Sequence, residues 1–306
     1  MITSVYQQIC HRTIPLNRSL NSFILRPTMK DYVHGYSERE DQRLRDQSQT
    51  LAELLHHETL YPKGSHVLEA GCGVGAQTAI LAKQSPSAQF TSVDVSPDSL
   101  RAAEAAVRRA GFNNVKFQVA DIFQLPFPAA SFDHVFVCFV LEHLKEPLKA
   151  LQHLKTVLKP GGTLTVIEGD HGSTFFHPHS AAAWRTIQCL IDVQAAAGGD
   201  ALIGRRLYPL LREAGFGLIT VSPRFVYVDS SRPEWVEGFT RNTYIAMVEG
   251  VRERALAAGL IERPAWEEGV ADLKASAGPD GTFCYTFFKG VAVNEPASTE
   301  SISDSH

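Results

Sequence analysis

The 306-residue chain has few cysteines, no long apolar run and no surplus of positive charge. Its five cysteines (Cys10, Cys72, Cys138, Cys189, Cys284) are odd in number and never spaced Cys-x-x-Cys. That pattern excludes a readable disulfide framework or thiolate zinc site and fits reduced thiols in the cytoplasm. No apolar stretch approaches the roughly 18 residues that cross a bilayer, so no membrane partner is expected. Lys and Arg total 29 against 33 for Asp and Glu, a net charge of −4, which lacks the broad attraction that a polyanion needs; no nucleic-acid partner is expected. The chain also lacks an internal repeat and carries no signal for an oligomeric state. Residues 1–30 have no acidic residue and carry Arg12, Arg18, Arg26 and Lys30. This loosely matches an organelle transit peptide, and the competing readings are a disordered extension or a start upstream of Met29. The Ser-rich stretch 294–306 reads as a disordered tail.

What is present is alternation. SEREDQRLRDQSQTLAELLHH (37–57) reads as a helix, with Ser37 at its N-cap and Glu40 closing a capping box. After the break at Tyr61-Pro62-Lys63-Gly64, the apolar runs HVLEA, FTSVDV, VKFQVAD, FDHVFVCFV and TLTVIEG read as strands. The first two are followed by helical AQTAILAKQ and PDSLRAAEAAVRRAG, and the fourth by helical EPLKALQHLKTVL. This order predicts an α/β fold: a doubly wound, mostly parallel sheet with helices on both faces, in one domain over residues 31–293. Further helices at 179–199 and 233–259 interrupt the alternation, and two segments, about 171–200 and 232–278, are expected to form a lid. LITVSPRFVYV and GTFCYTFFKGVAV supply the remaining strands.

The strongest local signal is VLEAGCGVGAQTAILA (67–82), a strand running through a glycine turn into a helix. Gly71, Gly73 and Gly75 let backbone approach a ligand, and the following helix points N–H groups at the turn. The turn alone also satisfies the nicotinamide-dinucleotide fingerprint. Its neighbours separate the two cofactors. Glu69, at the mouth of the first strand, would repel a pyrophosphate and attract an ammonium group. Asp94, 19 residues after Gly75, ends the next strand, where a carboxylate accepts from both ribose hydroxyls. Asp121, followed by Ile122 and Phe123, suits an adenine amino group with an apolar cover over the ring.

In EAGCGVG, SVDVS, ADIFQLPF, FDHVFVCFVLEHL and LKPGGTLTVIEGD, taken in order over residues 64–170, the chain resembles the class I S-adenosylmethionine-dependent methyltransferases of small-molecule type. The resemblance implies a Rossmann-like sheet of seven strands with an antiparallel last strand. It implies S-adenosyl-L-methionine as cofactor, with Glu69, Gly71, Gly73 and Gly75 at the methionine part, Asp94 at ribose, and Asp121 and Ile122 at adenine. Val95 and Cys138 complete the implied cofactor set, and Tyr36 is expected to close over it.

The acceptor is expected beyond the carboxyl ends of the fourth and fifth strands, where His171, His143 and Asp170 are the candidate catalytic groups. A near-neutral histidine is a fitting general base, and a carboxylate can orient it; His171 is preferred and His143 second. DHGSTFFHPHS also offers His171, His177 and His179 as metal ligands, but Pro178 and the expected loop setting do not call for a metal. The absence of an Asp/Asn-Pro-Pro-Tyr tetrad and of a Pro-Cys dipeptide disfavours nucleobase acceptors. A small molecule under a lid is therefore the expected acceptor; the alternatives are a protein or RNA acceptor, or a non-catalytic protein that binds S-adenosylmethionine.

Overall fold

The computed structural model describes residues 50–295. The extension 1–30, the capping box at Ser37 and Glu40, and Tyr36 lie outside the described residues, as do residues 296–306.

Helical residues 50–56 (α1) lead into β1 (His66–Ala70), α2 (Ala76–Gln84), β2 (Gln89–Asp94), α3 (Pro97–Arg109), β3 (Val115–Val119) and β4 (Phe132–Cys138). Then follow α4 (Pro147–Val157), β5 (Leu158–His177), α5 (Ala181–Ala196), α6 (Leu207–Glu213), β6 (Gly217–Asp229) and β7 (Thr282–Val293). The strands form one seven-stranded sheet in the order β3-β2-β1-β4-β5-β7-β6. β1 to β5 run parallel, and β7 lies antiparallel between β5 and β6, as expected for the last strand.

Local chemistry sets these elements. α3 starts on a Ser96 hydroxyl that accepts from the Ser99 amide at 3.2 Å, has Pro97 in its first turn, and buries Leu100, Ala103 and Val107 at helical spacing. Two apolar cores flank the sheet. One joins Leu51 and Leu55 of α1, Leu81 of α2, Ile187 and Leu190 of α5, and Phe283 and Phe287 of β7. The other joins Leu151 and Leu154 of α4, Leu207 and Leu211 of α6, and Leu68, Val137 and Val166 of the sheet.

Two expectations need correction. The fifth strand does not stop at Gly169: β5 runs to His177, so DHGSTFFH is strand rather than loop. Its ladder with β7 breaks between Asp170 and Phe175, and Ser173 bridges the gap, its hydroxyl accepting from the Thr286 amide at 2.9 Å and donating to the Asp170 carbonyl at 2.7 Å. Likewise 233–259 is not one α-helix. It breaks into α7 (Pro233–Trp235), a π-helix (Val236–Ile245), α8 (Ala246–Gly250) and α9 (Arg252–Ala257). Thr243 donates to the Gly238 carbonyl, five residues back, in keeping with the wider turn. A further helix, α10 (Arg263–Ala275), packs on α5 with no side chain at Gly269, where a Cβ would clash with the Ala182 carbonyl oxygen.

Candidate functional site

The three glycines of the turn all adopt left-handed backbone, with φ of 78°, 51° and 78° at Gly71, Gly73 and Gly75. They face different surroundings. A Cβ on Gly71 would overlap the Val140 side chain, and one on Gly75 would come within 2.9 Å of the Ala103 Cα on α3. These two glycines are dictated by packing. Gly73 differs, because a Cβ there would meet nothing within 4 Å. The turn therefore opens at its middle glycine, beside the start of α2, which has no side-chain cap.

Asp94 holds that opening in place. One carboxylate oxygen accepts from the Gly73 amide and the other from the Ser96 amide, each at 2.9 Å, which ties the turn to the end of β2. Burial raises its pKa against the pull of these amides. Val95, next along the chain, is 52% exposed, an apolar surface at the edge of the opening. On the far side Asp121 accepts from the Phe123 amide at 2.9 Å, with Ile122 buried beside it.

Glu69 points inward from β1 and accepts from Thr78 at 2.7 Å and Ser92 at 2.6 Å. Burial pushes its carboxyl up to about 7, with the nearby Asp94 charge adding to the shift. Cys138 is buried at the end of β4, and burial among Glu168, Glu69 and Glu142 pushes its thiol up, away from the reactive thiolate.

On the acceptor side the Asp170 carboxylate is taken by Arg205 rather than by a histidine. Asp170 takes a bidentate bond from Arg205, Nε at 2.7 Å and Nη2 at 2.8 Å, and accepts from the Gly172 amide. His171 instead lies with its Nδ1 2.8 Å from the Tyr285 hydroxyl, buried among Tyr244 and Tyr285. Successive strand residues project to opposite faces, which separates the two side chains. His143 sits in a 3-10 turn (Leu141–His143) with its Nε2 3.5 Å from a Glu142 carboxylate oxygen. His171, His177 and His179 do not converge: among the described residues no group of three or more His, Cys, Asp or Glu side chains is placed to hold a metal.

Three further residues shape this side, of which Tyr285 carried no role in the sequence reading. Glu168, fully buried, accepts from the Val140 and Leu141 amides at 3.1 and 2.8 Å and so anchors the turn after β4. Burial and the Glu142 charge push its pKa well up. Tyr285 of β7 and Tyr244 of the π-helix both meet the His171 ring. The alternation of GTFCYTFFKGVAV held the clue for Tyr285, since Phe283, Tyr285 and Phe287 share one strand face. Phe239, Tyr244 and Trp266 are core residues, 2% exposed or less, and Arg241 donates to the Ala277 carbonyl.

Residues 68–166 match the family model described as a methyltransferase domain. The O-methyltransferase cnsE of Penicillium expansum is 32% identical over 199 residues, covering 62% of this chain and 67% of that protein. With the sheet order and glycine turn above, these matches establish that the chain belongs to the class I S-adenosylmethionine-dependent methyltransferases. An uncharacterised transposon-encoded protein of Streptomyces fradiae is 32% identical over 71% of this chain, which spans 59% of that relative's length. In fold the chain is similar to phosphoethanolamine N-methyltransferase 2 of Haemonchus contortus, solved with phosphomonomethylethanolamine and S-adenosylhomocysteine; the TM-score is 0.52 at 20% identity, over 81% of this chain and 53% of the other. No helix among the described residues is long and apolar enough to cross a membrane.

Proposed function

We propose that the protein transfers a methyl group from S-adenosyl-L-methionine to a small-molecule acceptor held under the helices α5, α7 to α10 and the intervening π-helix. The observation that carries this reading is the opening at Gly73, fixed by Asp94 and edged by Val95, on the glycine turn of a methyltransferase family member. Glu69, Gly71, Gly73 and Gly75 would hold the methionine part, Asp94 the ribose, and Val95, Asp121 and Ile122 the adenine, with Cys138 closing the floor at β4. The bound cofactor supplies a sulfonium methyl, an electrophile that needs alignment more than activation.

This chain's residues supply that alignment. Glu168 fixes the turn after β4, Val140 of that turn packs on Gly71, and His171 is the polar group on the lid side of β5. A net charge of −4 supports a small acceptor over a nucleic acid, and four described cysteines, all buried and free, support a cytoplasmic setting.

Thermal melting with each cofactor tests the first half: S-adenosylmethionine should raise the melting temperature, and NAD should not. Incubation with labelled S-adenosylmethionine and a small-molecule cell extract tests the second. A product one methylene heavier is expected; binding without any transfer would mark a binding protein instead.

A further inference from the structure

β6 and β7 bring two cations together on the face of the sheet that packs on α1 and α5. On β7, Phe283, Tyr285, Phe287 and Lys289 alternate onto this face, and the three aromatic residues are buried in its core. On β6, Val226 and Val228 join the same core, and Arg224 precedes them at the same spacing of two. The register sets Arg224 opposite Phe287 and Ser222 opposite Lys289. Arg224 and Lys289 are therefore diagonal neighbours on one face, about 7–8 Å apart along the backbone and within reach of each other's long side chains.

Neither cation is neutralised. Lys289 is 4% exposed, and its ammonium donates to the His57 carbonyl at 2.6 Å and the Thr59 hydroxyl at 2.7 Å. Both acceptors are uncharged, and an ammonium has three hydrogens, so one is left to place. The Arg224 guanidinium has no ion pair with any carboxylate among the described residues, and its Nε is buried without a hydrogen-bond partner. Glu58, which follows His57, is turned to solvent: its side chain is 74% exposed and lies 3.8 Å from His57 Nδ1. Burial and the Arg224 charge hold the Lys289 ammonium down at about 8, with Glu58 pulling the other way. Like charges at this separation repel, and a buried N–H without an acceptor is costly. A dianion between the two would remove both costs, and a phosphate group is the common one: its charge matches the pair, and its oxygens suit the guanidinium fork.

We propose that Arg224 and Lys289 form a phosphate-binding site, separate from the opening at Gly73. Phe287 lies in the row between Gly169 of β5 and Arg224, and its ring packs against Phe139 and Phe239 at 5.4 and 5.9 Å. Aromatic side chains thus fill the space between Arg224 and β5. Lys289 ties the site to the end of α1, so a phosphate there would fasten β6 and β7 to that helix. The same oxygens are presented by the free inorganic anion and by the phosphate of an organic molecule.

Thermal melting of the full-length protein tests this with sodium phosphate and with phenyl phosphate, each against sodium chloride of equal ionic strength at one pH. Either ligand at about ten times its dissociation constant should raise the melting temperature by about 3 °C or more. Arg224→Gln loses no partner within the protein. It should melt within about 1 °C of wild type in chloride and lose most of the phosphate shift, and Arg224→Lys should recover part of it. A shift with inorganic phosphate alone, or a larger one with phenyl phosphate, would each support the site and would tell the free anion from an organic phosphate. No shift with either ligand in the wild type would overturn the proposal however the variants behave. A phosphate shift that Arg224→Gln keeps would overturn it as well, because the anion would then bind elsewhere. So would a failure of Arg224→Gln to fold in chloride, which would give the guanidinium a structural role that needs no anion.

Discussion

At the scale of single residues, the glycine turn divides its work unevenly. Gly75 touches α3, so Gly75→Ala should cost about 1–3 kcal/mol through overpacking and left-handed strain, read as a lower melting temperature. Gly73→Asn puts a residue that tolerates left-handed backbone into open space. It should fold with a stability change within about 1 kcal/mol and yet lose S-adenosylmethionine affinity at least tenfold by calorimetry. Equal affinity in this variant would mean that the opening is not the cofactor's. Glu69 adds a pH dependence. Its folded pKa, about 7, lies above the ordinary 4.5, so the folded state holds the proton more tightly than the unfolded one. The stability it contributes is present below about 4.5 and is lost as pH rises through about 7. An ammonium group brought to this carboxylate requires the ionised form. Cofactor affinity should therefore rise about tenfold between about pH 6 and about pH 8, and Glu69→Gln should flatten the rise. Residue identity was legible here from spacing alone. What spacing could not reveal is that two of the three glycines answer to neighbouring side chains, because Val140 and Ala103 reach the turn only through the tertiary fold.

At the scale of elements, α1 is docked by polar as well as apolar contacts. His56 Nε2 lies 2.5 Å from the Gln77 amide oxygen of α2, and its ring packs 5.6 Å from Phe136. Lys289 of β7 donates to the His57 carbonyl at 2.6 Å and to Thr59 at 2.7 Å, where the chain leaves the helix. Burial lowers the His56 pKa to about 4, so the unfolded state binds a proton that the folded state refuses between about 6.5 and about 4. Stability should fall as pH drops through that window. His56→Phe should show a smaller loss of melting temperature between about pH 7 and about pH 5 than wild type, and equal losses would remove His56 as the cause. The strands and helices of residues 66–157 follow the sequence pattern closely, because period and capping residues agree there. The pattern gives out where tertiary contacts take over. The eight residues after Gly169 read as loop from their Gly, Ser and His content, yet β7 recruits them into the sheet. In α10, Pro264 and Gly269 mask a helix whose crossing with α5 depends on that glycine.

At the scale of the whole molecule, fold class and strand direction were legible because alternating strands and helices leave few topologies open. Of the residues expected on the donor side, Glu69, Gly71, Gly73, Gly75, Asp94, Val95 and Cys138 lie at or just after the carboxyl ends of β1, β2 and β4, and Asp121 and Ile122 follow β3. The acceptor side was less legible, since Tyr285 and Tyr244 meet His171 from positions 114 and about 73 residues away along the chain. The position of β7 carries one more consequence. It is last of the seven strands in chain order but lies between β5 and β6. As the chain emerges during synthesis, β1 to β5 can pair side by side, while β6 must wait without a neighbour until residues 282–293 arrive. The half of the sheet that bears the glycine turn can thus exist before the half that holds His171 by its ring. Birth order separates the two sides of the site: the first has all its strand partners before the second, which lacks its central strand until β7 emerges.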